Sequence, residues 1–195
     1  MTPTTPNDQN ILQAAATEAS RLGLEAVTFG HLALALEMSK ASLHTRYGSK
    51  AAMQLAIIEH VVKVFSGKVL RPALKAPRGV PRLQALFDHW LAWIAQNPFG
   101  EGCFFFTVSA EMRGRQGPVR QHLVAQMADV QQLVADVVQT AITEGHFSRA
   151  VEPQGVAYEF MGILLAYHHA YHLLAAPQAE TWARRAFARL ITLNS

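Results

Sequence analysis

Cysteine is nearly absent from this chain: Cys103 stands alone in 195 residues. A single thiol excludes an internal disulfide, and it excludes a structural metal site built on a pair of thiolates. Long apolar runs are lacking too. No stretch reaches the roughly 18 uninterrupted apolar residues of a membrane-spanning helix, and the N-terminus MTPTTPNDQN has neither a charged leader nor an apolar segment of the secretory kind. These absences set the expectation of a soluble, cytoplasmic chain with no membrane partner. An excess of one charge is also missing. The net charge is +3, and residues 1–70 carry six basic and five acidic side chains, so any affinity for nucleic acid must come from placement rather than bulk charge. Enzyme signatures are absent as well, with no nucleophile elbow, phosphate loop or paired-carboxylate motif. The expectation is a protein that is not an enzyme and needs no cofactor.

What is present is apolar material at helical spacing. Apolar residues make up 50% of the chain, enough for a sizeable core in one compact unit or two small helical modules. Asn7 or Asp8 can cap a first helix with Ile11, Leu12, Ala15, Ala16, Ala19 and Leu22 on one face, closed by Gly23. Thr28 can cap a second, with a turn around Glu37 and Met38. A third runs from Ser39 to about Tyr47, ended by Gly48. A fourth carries Met53, Ile57, Val61, Val62 and Phe65 and should stop before Pro72. The stretch Pro72 to Pro81, with three prolines and one glycine in ten residues, reads as a connector. Beyond it, Leu83, Leu86, Phe87, Trp90, Leu91 and Ile94 recur at helical spacing until Asn97-Pro98. The run from Cys103 to Phe106 has strand propensity but no second strand to pair with, so it reads as the start of a buried helix. Pro118 opens a long helix ended by Gly145. Glu152-Pro153 opens another to about Ala175, and Pro177 begins the last. The fold class is all-α.

The most informative segment is Thr28 to Lys50, TFGHLALALEMSKASLHTRYGSK. It reads as two short helices, a tight turn and a third helix start. Two of the starts are Ser followed by Lys, at Ser39-Lys40 and Ser49-Lys50. A serine hydroxyl is a good N-cap, but a cation in the first turn opposes the positive end of the helix dipole. A phosphate docked at each start would favour the arrangement, since backbone N–H groups, dipole and lysine would face one anion. That combination points to nucleic acid. The bland alternative is a helical hairpin with ordinary caps and solvated lysines.

These residues resemble the DNA-binding region of the TetR/AcrR family of transcriptional repressors. The match rests on Ile11-Leu12, Ala14-Ala15, Gly23, Thr28, Leu32-Ala33, Ser39-Lys40, Leu43, Tyr47 and Ser49-Lys50 at the family's spacing, and GCFFFTVSAEM followed by Gly117-Pro118-Val119-Arg120 is similar to a ligand-domain segment of one branch. The resemblance implies a DNA-binding helix-turn-helix over residues 1–48 and a larger helical ligand-binding and dimerisation domain over 49–195, with the helix from Ser49 linking the two. It implies that Thr28, Ser39, Lys40, Tyr47 and Lys50 contact phosphates or open the recognition helix, and that Lys40, Ser42, His44, Thr45 and Arg46 face the groove, with Ala41 among them. Three positions depart from the family. Glu37 replaces a common turn glycine, at a cost of about 1–2 kcal/mol if the turn needs a left-handed residue. Ala41 replaces a glycine that lets the backbone approach DNA, and His44 replaces a common tyrosine.

The second half holds weaker signals. Trp90, Trp93, Phe104, Phe105, Phe106, Met112, Tyr158, Met161 and His168 are candidates for the wall of an apolar ligand cavity, although core packing alone produces the same list. Phe160, Ile163, Leu164, Tyr171, Leu174, Trp182, Phe187 and Leu190 are candidates for an interface with a second copy. Two recognition helices related by a twofold axis would read a palindrome with half-sites roughly 34–36 Å apart. His168 and His172 are one turn apart, a spacing able to hold zinc, but no third ligand is implied, and no metal site is expected. Cys103 reads as an inert buried thiol. The sequence therefore leads to a ligand-responsive regulator, a repressor that binds an operator in double-stranded DNA as a homodimer and is released by a small-molecule inducer. The rival is a helical ligand- or metal-binding protein, enzymatic or not, that uses His168 and His172 and has no role on DNA.

Overall fold

The computed structural model describes residues 7–96, 98–100 and 102–195. Helices alone form its regular structure, and no strand occurs among the described residues. In chain order they are α1 (Asp8–Leu22), α2 (Phe29–Ala35), α3 (Lys40–Tyr47), α4 (Lys50–Phe65), α5 (Arg71–Leu74), α6 (Val80–Ala95), α7 (Phe104–Met112), α8 (Pro118–Thr143), α9 (Pro153–His168) and α10 (Ala179–Asn194). Two π-helical turns, Ser66–Leu70 and His169–Leu173, follow α4 and α9 directly. The chain divides into two compact units, Met1–Val64 with Asn97–Val124 and Phe65–Gln96 with Ala125–Ser195.

The caps that the sequence suggests form the helix starts of the first unit. The Asn7 side chain accepts from the Asn10 N–H at 2.9 Å, Thr28 Oγ1 from His31 at 3.1 Å, Ser39 Oγ from Ser42 at 3.0 Å and Ser49 Oγ from Ala52 at 3.1 Å. Each bond satisfies one otherwise orphaned donor and is worth about 1 kcal/mol. Below the caps, Ile11, Ala15, Ala16 and Ala19 of α1, Leu32 of α2, Leu43 of α3 and Met53, Ile57, Ile58 and Val61 of α4 are fully buried. The small alanines of α1 let α7 pack close against it, with Phe104, Val108 and Met112 buried in the contact region of the same unit. α7 thus packs in the N-terminal unit although it lies far along the chain. Periodicity shows that α7 has an apolar face but not which helix covers it, and that face joins the N-terminal unit.

In the second unit, aromatic rings form the core. The Phe87 ring stacks on Phe187 with centroids 4.1 Å apart, and Phe160 meets both edge-on at 6.0 Å. Phe65 sits edge-on to Trp90 and Trp93 at 4.9 and 5.2 Å. Such pairs add about 0.5–1.5 kcal/mol each beyond the area they bury.

Proline placement differs from expectation. Pro72 does not end helical structure: it lies inside α5, and Pro81 lies in the first turn of α6, where a missing N–H costs nothing. The π-helical turn before α5 widens the backbone where Pro72 cannot donate. The connector therefore shrinks to the residues between Leu74 and Val80. The helix-ending role expected of Asn97 lies outside the described residues.

Candidate nucleic-acid interface

α2 and α3 are joined by a turn whose geometry identifies it. Glu37 has φ 52°, and the Met38 N–H bonds the Ala33 carbonyl at 3.0 Å, so α2 ends in a Schellman turn with Glu37 at its left-handed position. The turn does require the conformation that glycine favours, and here a glutamate adopts it. Gly48, at φ 73°, closes α3. α3 is held by buried Leu43, while Lys40, Ala41, His44, Thr45 and Arg46 are exposed and Ser42 is half-buried. Of the expected groove-facing residues, Lys40, Ala41, His44 and Thr45 thus share the exposed arc of α3. The His44 ring rests 5.5 Å from that of Phe29, edge-on. Arg46 reaches back to α1 and bonds Asp8 at 2.7 Å.

The two Ser-Lys starts, alike in sequence, differ in space. Lys40 is exposed and forms no ion pair with any described residue. Lys50 donates to the Glu25 carbonyl at 2.8 Å and to its carboxylate at 2.9 Å. The anion that offsets the cation at the start of α4 is therefore Glu25 of the chain itself, which corrects the expectation that Lys50 points free at a phosphate. Glu25 also accepts from Gln54 at 3.0 Å and lies 3.7 Å from Arg115. The Gln54 hydrogen bond and then that of Lys50 hold its carboxyl below the usual range, against burial that raises it. Tyr47 departs from expectation too. Its Oη is buried and meets no hydrogen-bond partner among the described residues, and burial, followed by the charge of Asp8, pushes its pKa up. In this conformation it is not presented to a phosphate.

A family model described as "Bacterial regulatory proteins, tetR family" matches residues 11–57, and one described as "Tetracyclin repressor-like, C-terminal domain" matches 79–187. The chain belongs to the TetR family. Solved structures share the fold at low identity. A TetR transcriptional regulator from Chloroflexus aurantiacus superposes with a TM-score of 0.80 at 17% identity, over 93% of this chain and 90% of that one. The ketosteroid transcriptional regulator KstR2 of Mycobacterium tuberculosis gives 0.71 at 16% over 98% and 97%. AibR in complex with isovaleryl coenzyme A and operator DNA gives 0.67 at 23% over 81% and 83%. No curated protein matches the chain at a significant level. This TetR-family chain is thus a transcriptional regulator with an N-terminal DNA-binding helix-turn-helix.

The remaining candidate residues of this regulator are divided between the two units. Of the expected cavity wall, Trp90, Trp93, Met161 and His168 belong to the second unit and Phe104, Phe105, Phe106 and Met112 to the first. Tyr158 is 73% exposed, too far out on α9 to line an interior. The indole Nε1 of Trp90 is buried without a partner among the described residues. His168 is held neutral, its pKa lowered to about 4 by burial first and then by His172 and His169. His172 Nε2 lies 2.8 Å from the Ile94 carbonyl, an acceptor only, so that nitrogen carries its proton and is closed to a metal. Cys103 is buried, and no helix is long and apolar enough to cross a membrane among the described residues.

The expected interface list is corrected by burial. Phe160, Leu164 and Phe187 are interior to the second unit and can meet no partner copy. Leu190 is buried as well but lines the floor of an open groove of about 570 Å³, together with Ile163 of α9 and Trp182 of α10. Tyr171 and Leu174 are exposed beyond the end of α9. Sequence reading missed Gly162, Ala166 and Ala186, which open this groove, and Leu193, 77% exposed beside it. Small residues carry no signal of apolar bulk. It also missed the partners of Glu25, which lie far along the chain.

Proposed function

We propose that this TetR-family regulator is a repressor that binds a palindromic operator as a homodimer and leaves it when a small apolar inducer binds. The observation that carries the proposal is Lys40. It stands exposed at the start of a serine-capped helix and pairs with no anion among the described residues, beside Ala41, His44 and Thr45 on the same arc. A helix entering the major groove by this end offers Lys40 to guanine acceptors or a phosphate, and His44 and Thr45 to base edges. Thr28 and Ser39 spend their side-chain oxygens on caps, leaving their hydroxyl protons for phosphate oxygens. Residues 1–48 are the DNA-reading region in this account, and 49–195 carry ligand and dimer functions.

Dimerisation is supported by the groove between α9 and α10. Gly162, Ala166 and Ala186 permit close approach of another helix pair, and exposed Trp182 and Leu193 supply apolar surface around them. An inducer is supported by the indole N–H of Trp90, which has no acceptor among the described residues and lies amid Phe65 and Phe160. A buried donor without an acceptor is costly, and an apolar ligand carrying one carbonyl-type oxygen would satisfy it. Such a ligand must prefer one head spacing over the other to switch anything. The metal-site rival keeps only Nδ1 of His172 beside His168, with no third ligand implied by spacing, and the protein acts in the cytoplasm, without catalysis. Titrating the protein against double-stranded DNA from beside its own coding region, over a range of salt, tests the reading. Sequence-selective binding that weakens steeply with salt is expected; equal, weak binding to every duplex would refute it.

A further inference from the structure

We infer that Glu111, far outside the DNA-binding segment, is a positioning residue for DNA binding, because its carboxylate clamps the loop that orients the helix-turn-helix. The inference rests on the DNA-binding reading above. Glu111 sits in the last turn of α7, between buried Val108 and Met112, which anchor its backbone. Its Oε2 accepts the Leu24 N–H at 2.6 Å and its Oε1 accepts the Glu25 N–H at 2.9 Å. These are the first two amides after Gly23, the α1 cap, which has φ 88° and where a Cβ would lie 2.9 Å from Glu111 Oε2 and displace the carboxylate. The same two residues are gripped from the other side. Gln54 Nε2 donates to the Leu24 carbonyl at 3.2 Å and Lys50 Nζ to the Glu25 carbonyl at 2.8 Å.

Leu24 and Glu25 thus have both N–H groups held by α7 and both carbonyls held by α4. An ordinary surface loop would leave such groups to water at little cost. Here they form a chain of bonds from α7, through the loop, to Lys50 at the start of α4, two residues after Gly48 closes α3. A shift of α7 by about 1 Å takes the carboxylate bonds beyond hydrogen-bonding range, and the loop that leads into α2 loses its fixed place.

The test uses the full chain, a duplex from beside the coding region, and the variants Glu111→Gln, Glu111→Asp and Lys40→Ala. Glu111→Gln turns an amide NH2 toward one of two backbone N–H groups, whereas Glu111→Asp keeps the charge on a shorter arm. Affinity for the duplex should fall about tenfold or more in Glu111→Gln and less in Glu111→Asp. The dependence on salt should stay that of wild type, since no phosphate contact is removed, whereas Lys40→Ala should lower its slope by about one. Amide exchange at Leu24 and Glu25 should accelerate, while that of Ile57 in α4 stays protected. Unchanged affinity alongside faster exchange would overturn the positioning role, and unchanged exchange would overturn the clamp itself. Loss of Ile57 protection in both Glu111 variants would reduce Glu111 to a folding contact. A wild-type protein that binds no duplex would overturn the DNA reading first and this inference with it.

Discussion

Replacing Glu37 by glycine should stabilise the protein by about 0.5–1 kcal/mol, an unusual outcome for a mutation to glycine. At φ 52° the glutamate Cβ crowds its own backbone, at a cost of about 1–2 kcal/mol. Glycine removes that cost but gains freedom in the unfolded chain, which returns about 0.5–1 kcal/mol of the benefit. The Schellman bond from Met38 to Ala33 needs only backbone and survives the change. Glu37→Ala is the control, since it removes the charge near the negative end of α2 but keeps the Cβ. Thermal unfolding should order the variants with glycine highest, raised by about 1–4 °C over wild type for a chain of this size. An alanine variant as stable as the glycine one would show that the charge matters and the backbone strain does not, and the reasoning would fail.

Lys40→Ala should lower the salt slope of duplex binding by about one, measured by titration at several ionic strengths, whereas Lys50→Met should leave that slope unchanged. Lys50→Met should instead cost about 1 kcal/mol of stability near neutral pH, a figure kept small because the pair is part-exposed. Glu25 is held below its ordinary value of 4.5, so this contribution is present above that value and is lost as pH falls through the lower folded one. Urea midpoints of wild type and Lys50→Met should therefore converge below about pH 4.5. Trp182→Glu should shift the sedimentation of the protein from dimer to monomer without unfolding it. Phe187→Ala, which deletes a stacked core ring, should cost about 3–5 kcal/mol in denaturant unfolding.

Much of the fold was legible because its signals are local. Asn7, Thr28, Ser39 and Ser49 cap from one turn away, Gly23 and Gly48 end helices by their own φ, and the apolar faces of α1 and α6 repeat every turn. Spacing turned Leu43 inward, while the outward placement of Lys40, Ala41, His44 and Thr45 was what the family resemblance implied. Phe160 and Trp182 show where periodicity stops. Both are large apolar residues on helices of the second unit, yet one is buried in the core and the other lines an open groove. Hydrophobicity says that a residue should leave water, not which surface it leaves water for.

By itself the sequence determined an all-helical chain and a serine-capped helix-turn-helix, both encoded within a few residues along the backbone, whereas the left-handed conformation of Glu37 was left open until the structure showed it. Only the tertiary structure decided the two lysines. Lys40 and Lys50 follow serine in the same way, but Glu25 lies within reach of one and not the other, and a contact between residues 25 apart depends on how the helices pack. The hold of Glu111 on Leu24 and Glu25 is of the same kind, since a carboxylate is drawn to unbonded N–H groups wherever the fold presents them, and sequence distance sets no limit on that.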